Sequence, residues 1–350
     1  MSRVRRFRRE DGDGDGIERP STALLRLVNG YQVSQAIHVA AKLGIADLLA
    51  DGPRGSDDLA AATDTHPPTL YRLLRALASV GVFREEADRR FALTPLGECL
   101  RADASEPVGG WAAFIGEPYI WQTWASLIHS VRTGENAFRH VHGMDPWTFR
   151  AGHPELSAGF DRAMMVRSRQ VSQAVLAAYD FGRFASIIDV GGGNGAFLAA
   201  ILAEHPGMRG VLFDQPHVAA GAAPILEGAG VAGRCQIVGG SFFEDIPAGC
   251  EAYLFKAILH DWDDERCIQI LQTCRRAMAH GAALLVVEQE LGPPNEGAAA
   301  KFSDLNMLVA PGGQERTPEE YAALFAGAGF RFTGATPTGS GVSVFEGVAE

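Results

Sequence analysis

A chain of 350 residues, 47% hydrophobic and 21% charged, is long enough for roughly two domains with real cores. Its formal net charge of -11 repels nucleic acid and anionic membrane surfaces, and no apolar run has the length of a transmembrane helix. Five cysteines (Cys99, Cys235, Cys250, Cys267 and Cys274) form no CxxC pair and no dense disulfide pattern, so free thiols in a reducing cytoplasm are expected.

The first 20 residues open with MSRVRRFRREDGDGDG, five arginines followed by a glycine–aspartate alternation. No apolar segment follows, which excludes a secretory signal and leaves a disordered tail. The alternation is no calcium loop: with Asp11 at position 1, position 12 is Thr22 instead of glutamate. Residues 21–105 read as a winged-helix-like module. Val33, Ala36, Ile37, Ala40, Ala41 and Ile45 line an apolar helical stripe, and Gly44 stops it before a short LGIADLL helix. Ser56-Asp57-Asp58-Leu59 starts another helix, Leu70, Leu73, Leu74 and Leu77 share a face of the next, and RRFALTPLGECL supplies a strand and turn. Arg72 and Arg75 lie three apart, as the recognition residues of a DNA-binding regulator do. Asp57, Asp58, Glu85, Glu86 and Asp88 surround them in sequence, so packing or dimerisation is expected in place of DNA binding.

Residues 106–180 read as a helical linker rich in large side chains. Phe160, Met164 and Met165 are its candidates for lining a flat apolar substrate, though plain core uses the same residue types. From residue 181 the pattern becomes α/β. SIIDV, GVLFD, CQIVGG, YLFKAILH and ALLVVEQE alternate with helices near 217–228, 264–279 and 317–328, which means a mostly parallel sheet covered on both faces. The GGGNG turn, Gly191 to Gly195, lets backbone N–H groups approach a ligand closely. Gly191, Gly193 and Ala196 also satisfy the loose dinucleotide pattern of an NADP-dependent oxidoreductase. Against that reading, Gly195 is an extra glycine, and Asp189 places a carboxylate where a pyrophosphate would be repelled and a cationic amino-acid ligand favoured. Asp214, 21 residues after Gly193, ends the second strand and suits a ribose diol of either ligand.

In FKAILHDWDDE, Phe255 to Glu265, His260 stands where an apolar strand gives way to acids, at the sheet edge where open α/β folds keep their ligands. It is a candidate general base, with an imidazole pKa near 6.5 leaving it mostly neutral at pH 7. Asp261, Asp263 and Asp264 are expected to cap the following helix and stay solvated. Successive acids at a helix start point in different directions, so no metal site is expected there. Met307, with the apolar linker, favours a flat aromatic substrate, and Asn306 and Asp304 are candidates to bind its polar substituents, though a helix surface explains those two equally well.

Taken in order, DVGGGNG, LFDQP, FKAILHDWDDERC, VVEQE and GGQERTPEEY resemble the S-adenosylmethionine-dependent small-molecule O-methyltransferases of the caffeate, hydroxyneurosporene and acetylserotonin type, with antibiotic-tailoring actinobacterial members closest in style. The resemblance spans about residues 20 to 348. It implies a Rossmann-like class I methyltransferase sheet domain over 181–350 and an N-terminal winged-helix domain that pairs two subunits into a homodimer. It further implies S-adenosyl-L-methionine as cofactor, a hydroxylated aromatic or polyketide-like substrate, and no metal. By resemblance Gly191, Gly193 and Gly195 bracket the methionine part with Asp189 close by, Asp214 holds the ribose, and Lys256 lies beside the cofactor. His260 is then the base, with Glu288 and Glu315 orienting it. The family's GDMF reads Gly240-Ser241-Phe242-Phe243 here, so Ser241 and Phe242 are left to frame the adenine without the usual carboxylate. Relatives that bind this cofactor yet hydroxylate or decarboxylate their substrates supply the alternative reading.

Overall fold

The computed structural model describes residues 19–105 and 107–350, without the side chains of 165–167. The arginine-rich start, the Asp11 alternation and the Met165 side chain thus lie outside the described residues. The chain divides into two compact units, with the boundary between Glu117 and Pro118.

In the first unit, β1 (Arg54–Gly55), β2 (Phe83–Glu85) and β3 (Arg90–Leu93) pair antiparallel in the order β1-β3-β2. Helix Pro67–Ser79 begins on two prolines, whose missing N–H groups cost nothing at a helix start. It buries Leu70, Leu74 and Leu77 against Ile45, Leu49, Leu59, Phe83 and Phe91. Gly97 passes so near Val82 that a Cβ there would meet its carbonyl oxygen at 2.4 Å. Arg72 and Arg75 are exposed, and Arg75 and Arg89 flank the Tyr71 ring at 5.5 and 4.8 Å from its centroid. Of the expected stripe, Ala40 and Ile45 are buried but Val33 is not. It joins Leu24, Leu25, Leu27, Val28 and Tyr31 on an exposed apolar run along helices Pro20–Val28 and Gly30–Lys42.

The second unit holds a seven-stranded sheet. Its strands are β4 (Ser186–Val190), β5 (Arg209–Asp214), β6 (Cys235–Gly239), β7 (Ala252–Lys256), β8 (Ala283–Gln289), β9 (Phe330–Pro337) and β10 (Val342–Ala349), in the order β6-β5-β4-β7-β8-β10-β9. The first five are parallel; β9 and β10, which the strand pattern had not predicted, add an antiparallel hairpin beside β8. Every residue of β4 is buried, as a strand covered on both faces requires. Helix Ala196–Glu204 packs Phe197, Leu198, Ile201 and Leu202 on one face; Cys267, Ile270, Leu271, Tyr321 and Phe325 cover the other. The strand order reverses between β4 and β7, the crevice position where such sheets bind ligands.

Local boundaries differ from expectation at three places. The 217–228 helix is two short ones, Pro216–Ala219 and Ala223–Gly228. β6 ends at Gly239, which leaves Ser241 and Phe242 in a turn. β7 ends at Lys256 because Ala257 is left-handed, with φ at 56°, and His260 falls in the 3-10 turn Leu259–Asp261. Among the described residues, no helix is long and apolar enough to cross a membrane.

Candidate active site at the carboxyl ends of the parallel strands

The turn after β4 is built on glycines. Gly191, Gly193 and Gly195 all have positive φ, at 74°, 61° and 79°. A Cβ on Gly191 would strike Ile258 at 2.4 Å, while one on Gly193 would meet nothing within 4 Å, so the loop is open on that side. Gly192, not singled out from the sequence, is equally constrained: its Cβ would lie 2.4 Å from Leu212 and 2.7 Å from the Asp189 carboxylate. Asp214 Oδ2 accepts from Gly193 N at 2.7 Å, and its Oδ1 accepts from Gln215 N. The carboxylate therefore ties the turn to β5 before any ligand binds.

Asp189 is buried, and its Oδ2 has no hydrogen-bond partner. Burial pushes its pKa up to about 7, against the pull of the Lys256 charge and with the help of Asp214. Lys256 donates to Ser168 Oγ at 2.8 Å and lies 5.6 Å from the Phe197 ring centroid. Burial lowers its pKa while Asp189 and Glu288 oppose the shift. Phe242 packs on Phe243, which in turn meets Trp262 edge-on at 4.9 Å. Ser241 Oγ accepts weakly from Phe243 N at 3.4 Å. An open, donor-rich glycine turn, a partnerless buried carboxylate and a ribose-reach aspartate fit a ligand with a cationic amino-acid end and a nucleoside.

On the β7–β8 side, His260, Glu288 and Glu315 converge. His260 Nδ1 stands 3.0 Å from Glu288 Oε2 and 3.6 Å from Glu315 Oε2. The first approach is off line and the second is longer than a hydrogen bond, so none of the three atoms gains a well-aligned hydrogen bond; such contacts tighten when a site fills. Glu288 Oε1 accepts from Ile258 N and Leu259 N at 2.9 and 2.8 Å, so one carboxylate shapes the turn and faces the ring. Ser303 donates to Glu315 Oε1 at 2.8 Å, and Asp304 accepts from Glu315 N at 3.0 Å.

The expected neutral imidazole is not what this setting favours. Burial pushes the His260 pKa down, but the charge and hydrogen-bonding reach of Glu288, then Glu315 and Asp261, outweigh it and raise the pKa well above 6.5. Glu288 answers in the opposite sense. Burial alone raises it, yet the imidazole and the two backbone donors hold it below its ordinary value. The expectation for the three aspartates also needs correction. Asp263 does cap the helix, accepting from Arg266 N at 2.8 Å. Asp261 instead turns back to within 3.7 Å of His260 Nε2, and burial raises its pKa to about 6 against the pull of the imidazole. Asp264 remains largely exposed, but its Oδ1 accepts from Arg316 and Gln314 at 2.8–3.0 Å.

Arg316, to which the GGQERT motif assigns no role, is fully buried. It donates to Leu259 O at 3.2 Å and Trp262 O at 2.9 Å, clamping the backbone on either side of His260. Gly313 passes so close that a Cβ would lie 2.1 Å from His260 O. A doubled glycine followed at short range by an arginine was the available signal. His260, Glu288 and Glu315 also form a trio whose ligand atoms lie within 4.8 Å of one another, a geometry able to hold a metal ion. Of the lining candidates, Phe160 and Met164 are half-buried on helix Pro154–Ala178, and Arg150 covers the Phe160 ring at 3.9 Å. Met307 is half-buried on helix Ala298–Val309, and Asn306 Oδ1 already accepts from the Trp124 indole at 3.2 Å.

The chain is similar to known proteins over most of its length. Residues 124–331 match the O-methyltransferase domain, and residues 25–103 match the O-methyltransferase dimerisation domain. The chain is 45% identical over 326 residues to a phenazine O-methyltransferase, PhzM, of Lysobacter antibioticus, covering 93% of this chain and 95% of the relative. It is 42% identical to a mitomycin biosynthesis 6-O-methyltransferase of Streptomyces lavendulae, with 90% of each covered. The crystal structure of an O-methyltransferase from neocarzinostatin biosynthesis, in complex with S-adenosylmethionine and 2-hydroxy-5-methyl naphthoic acid, superposes with a TM-score of 0.80 at 35% identity, covering 91% of this chain and 96% of that one. With both domain matches in their chain order and identity of this depth over nine-tenths of the length, the chain belongs to the S-adenosylmethionine-dependent small-molecule O-methyltransferases.

Proposed function

We propose that the protein methylates a phenolic hydroxyl of an aromatic or polyketide-like secondary metabolite, with His260 as the general base. The observation that carries the reading is the pairing of His260 Nδ1 with two buried carboxylates, which leaves Nε2 as the nitrogen to meet the acceptor. Bound S-adenosylmethionine supplies the electrophilic methyl group. The chain supplies the rest: Nε2 takes the hydroxyl proton as the oxygen becomes nucleophilic, and Glu288 and Glu315 stabilise the imidazolium and hold the ring. Asp189, Gly191, Gly193, Gly195 and Lys256 are assigned to the methionine end, Asp214 to the ribose, and Ser241 and Phe242 to the adenine. Phe160, Met164, Met165, Asn306 and Met307 are assigned to the substrate. No step requires a metal.

The acceptor class follows from the relatives, which act on a phenazine and in mitomycin biosynthesis or bind a hydroxylated naphthoic acid. Residues 21–105 are assigned to homodimer formation, which would cover the exposed Leu24, Leu27 and Tyr31. Residues 106–180 are assigned to a helical substrate lid and 181–350 to cofactor binding and catalysis. Five free cysteines agree with a cytoplasmic location.

The test is a pair of measurements on His260→Ala. With a phenol neutral at the assay pH, product formation followed by mass spectrometry should fall by roughly 10²–10⁴-fold. Calorimetric affinity for S-adenosylmethionine should match the parent. A variant nearly as active as the parent removes His260 from the role of base, and a product hydroxylated or decarboxylated in place of methylated overturns the reaction class.

A further inference from the structure

One cation near the site has no part in this chemistry. Arg150 is half-buried in the last turn of helix Pro146–Ala151, its guanidinium 3.9 Å from the centroid of the Phe160 ring. Trp147, three residues earlier and so on the same helix face, stacks on Trp262 at 5.5 Å with only 2° between the rings. That stack docks the helix on the segment carrying His260 and Asp261. Arg150 is then close enough to Asp261 for each charge to bias the other's protonation.

Among the described residues, Arg150 nevertheless makes no side-chain hydrogen bond and no ion pair. The neighbouring acids are engaged or turned elsewhere. Asp145 uses both oxygens on Thr148, at 2.8 and 2.7 Å, to cap Arg150's own helix. Asp261 faces His260 Nε2, and Asp161 is exposed on the long helix. Burial pulls the guanidinium below its usual range, against the opposing pull of Tyr119, Asp261, Asp161 and Asp145, because no hydrogen bond or ion pair among the described residues replaces its lost water. A planar fork of donors over the Phe160 ring, on the helix that also carries Trp147, matches a planar aromatic acid better than a neutral ring.

We propose that Arg150 is a specificity-determining residue that pairs with a carboxylate on the aromatic substrate, so that the preferred acceptor is a hydroxyaryl carboxylic acid. This rests on the aromatic acceptor proposed above, and it narrows that acceptor to an anion. The carboxylate takes the guanidinium fork while the ring lies along Phe160, and the hydroxyl is left for His260.

Binding tests this without turnover. Protein loaded with S-adenosylhomocysteine is titrated calorimetrically with salicylic acid and 3-hydroxy-2-naphthoic acid, each beside its methyl ester. At least one acid should bind the parent about 10-fold or more tightly than its ester, the size expected of charge-assisted bonds. Arg150→Met should erase that preference by weakening the acid and sparing the ester, while Arg150→Lys keeps part of it. Thermal melts of each variant guard against misfolding. A parent that does not prefer either acid overturns the proposal, as does a methionine variant that weakens acid and ester alike. An Arg150-dependent acid preference without methyl transfer would sink the reaction and leave the binding role standing.

Discussion

Glu288 reaches His260 twice: Oε2 stands 3.0 Å from the imidazole Nδ1, while Oε1 accepts the backbone N–H groups of Ile258 and Leu259 that lead into the same residue. One side chain therefore sets both where the histidine sits and how readily it holds a proton. A glutamine at 288 can keep the backbone bonds through its carbonyl oxygen but not the charge.

The pH dependence should report that charge. Because the folded His260 pKa is raised, its neutral, proton-accepting form is populated only above 6.5. The acid limb of kcat, measured with a phenol that does not titrate in the range, should have its midpoint above 6.5. Glu288→Gln should move that midpoint down and lower kcat by about 10–100-fold as the imidazolium loses its partner. The stability sign agrees. A raised histidine pKa contributes stability fully present below pH 6.5 and lost as pH climbs through the folded value. The difference in Tm between parent and Glu288→Gln should therefore shrink from neutral to alkaline pH. An unmoved midpoint in the glutamine variant would count against the coupling.

Arg316 and Gly313 should matter without touching substrate. Arg316→Met leaves the carbonyls of Leu259 and Trp262 without their donor, so denaturant unfolding should show a loss of about 2–4 kcal/mol. Gly313→Ala drives a methyl into His260 O, and its kcat should fall more than its stability. Equal kcat for parent and alanine variant would show that the turn can shift at no cost.

Asp214 should be felt in cofactor affinity. Asp214→Ala removes the acceptor for Gly193 N together with the proposed ribose contact, so S-adenosylmethionine binding should weaken by roughly 1.5–3 kcal/mol for each charge-assisted bond lost. Calorimetry should show no tight NADPH binding by the parent. A variant that binds S-adenosylmethionine like the parent would remove Asp214 from the site.

The trio His260, Glu288 and Glu315 has ligand spacing, so the metal-free scheme needs its own check. Saturating EDTA should leave the methylation rate unchanged. Loss of turnover that zinc or magnesium restores would make the trio a metal site and displace His260 as free base.

The sheet and its ligand edge were open to reading because burial on both faces demands continuous apolar runs. Ile187 and Ile188 in β4 and Leu254 and Phe255 in β7 announce themselves locally, and the glycines of 191–195 mark a turn that only small residues can make. His260, Glu288 and Glu315 were each identifiable by residue type, position and family resemblance. What the chain order could not convey was their mutual effect. A histidine's pKa depends on which charges folding packs around it, and Glu288 and Glu315 arrive from β8 and from the turn beyond helix Ala298–Val309. The same holds for Asp264 and Arg316, 52 residues apart, whose contact exists only once Gly313 lets the two turns touch. Arg150 is the plainest case. As a letter in PWTFRA it is an ordinary surface cation; docking Trp147 on Trp262 sets it half-buried over the Phe160 ring and within reach of the Asp261 charge, because packing decides which charges lose their water.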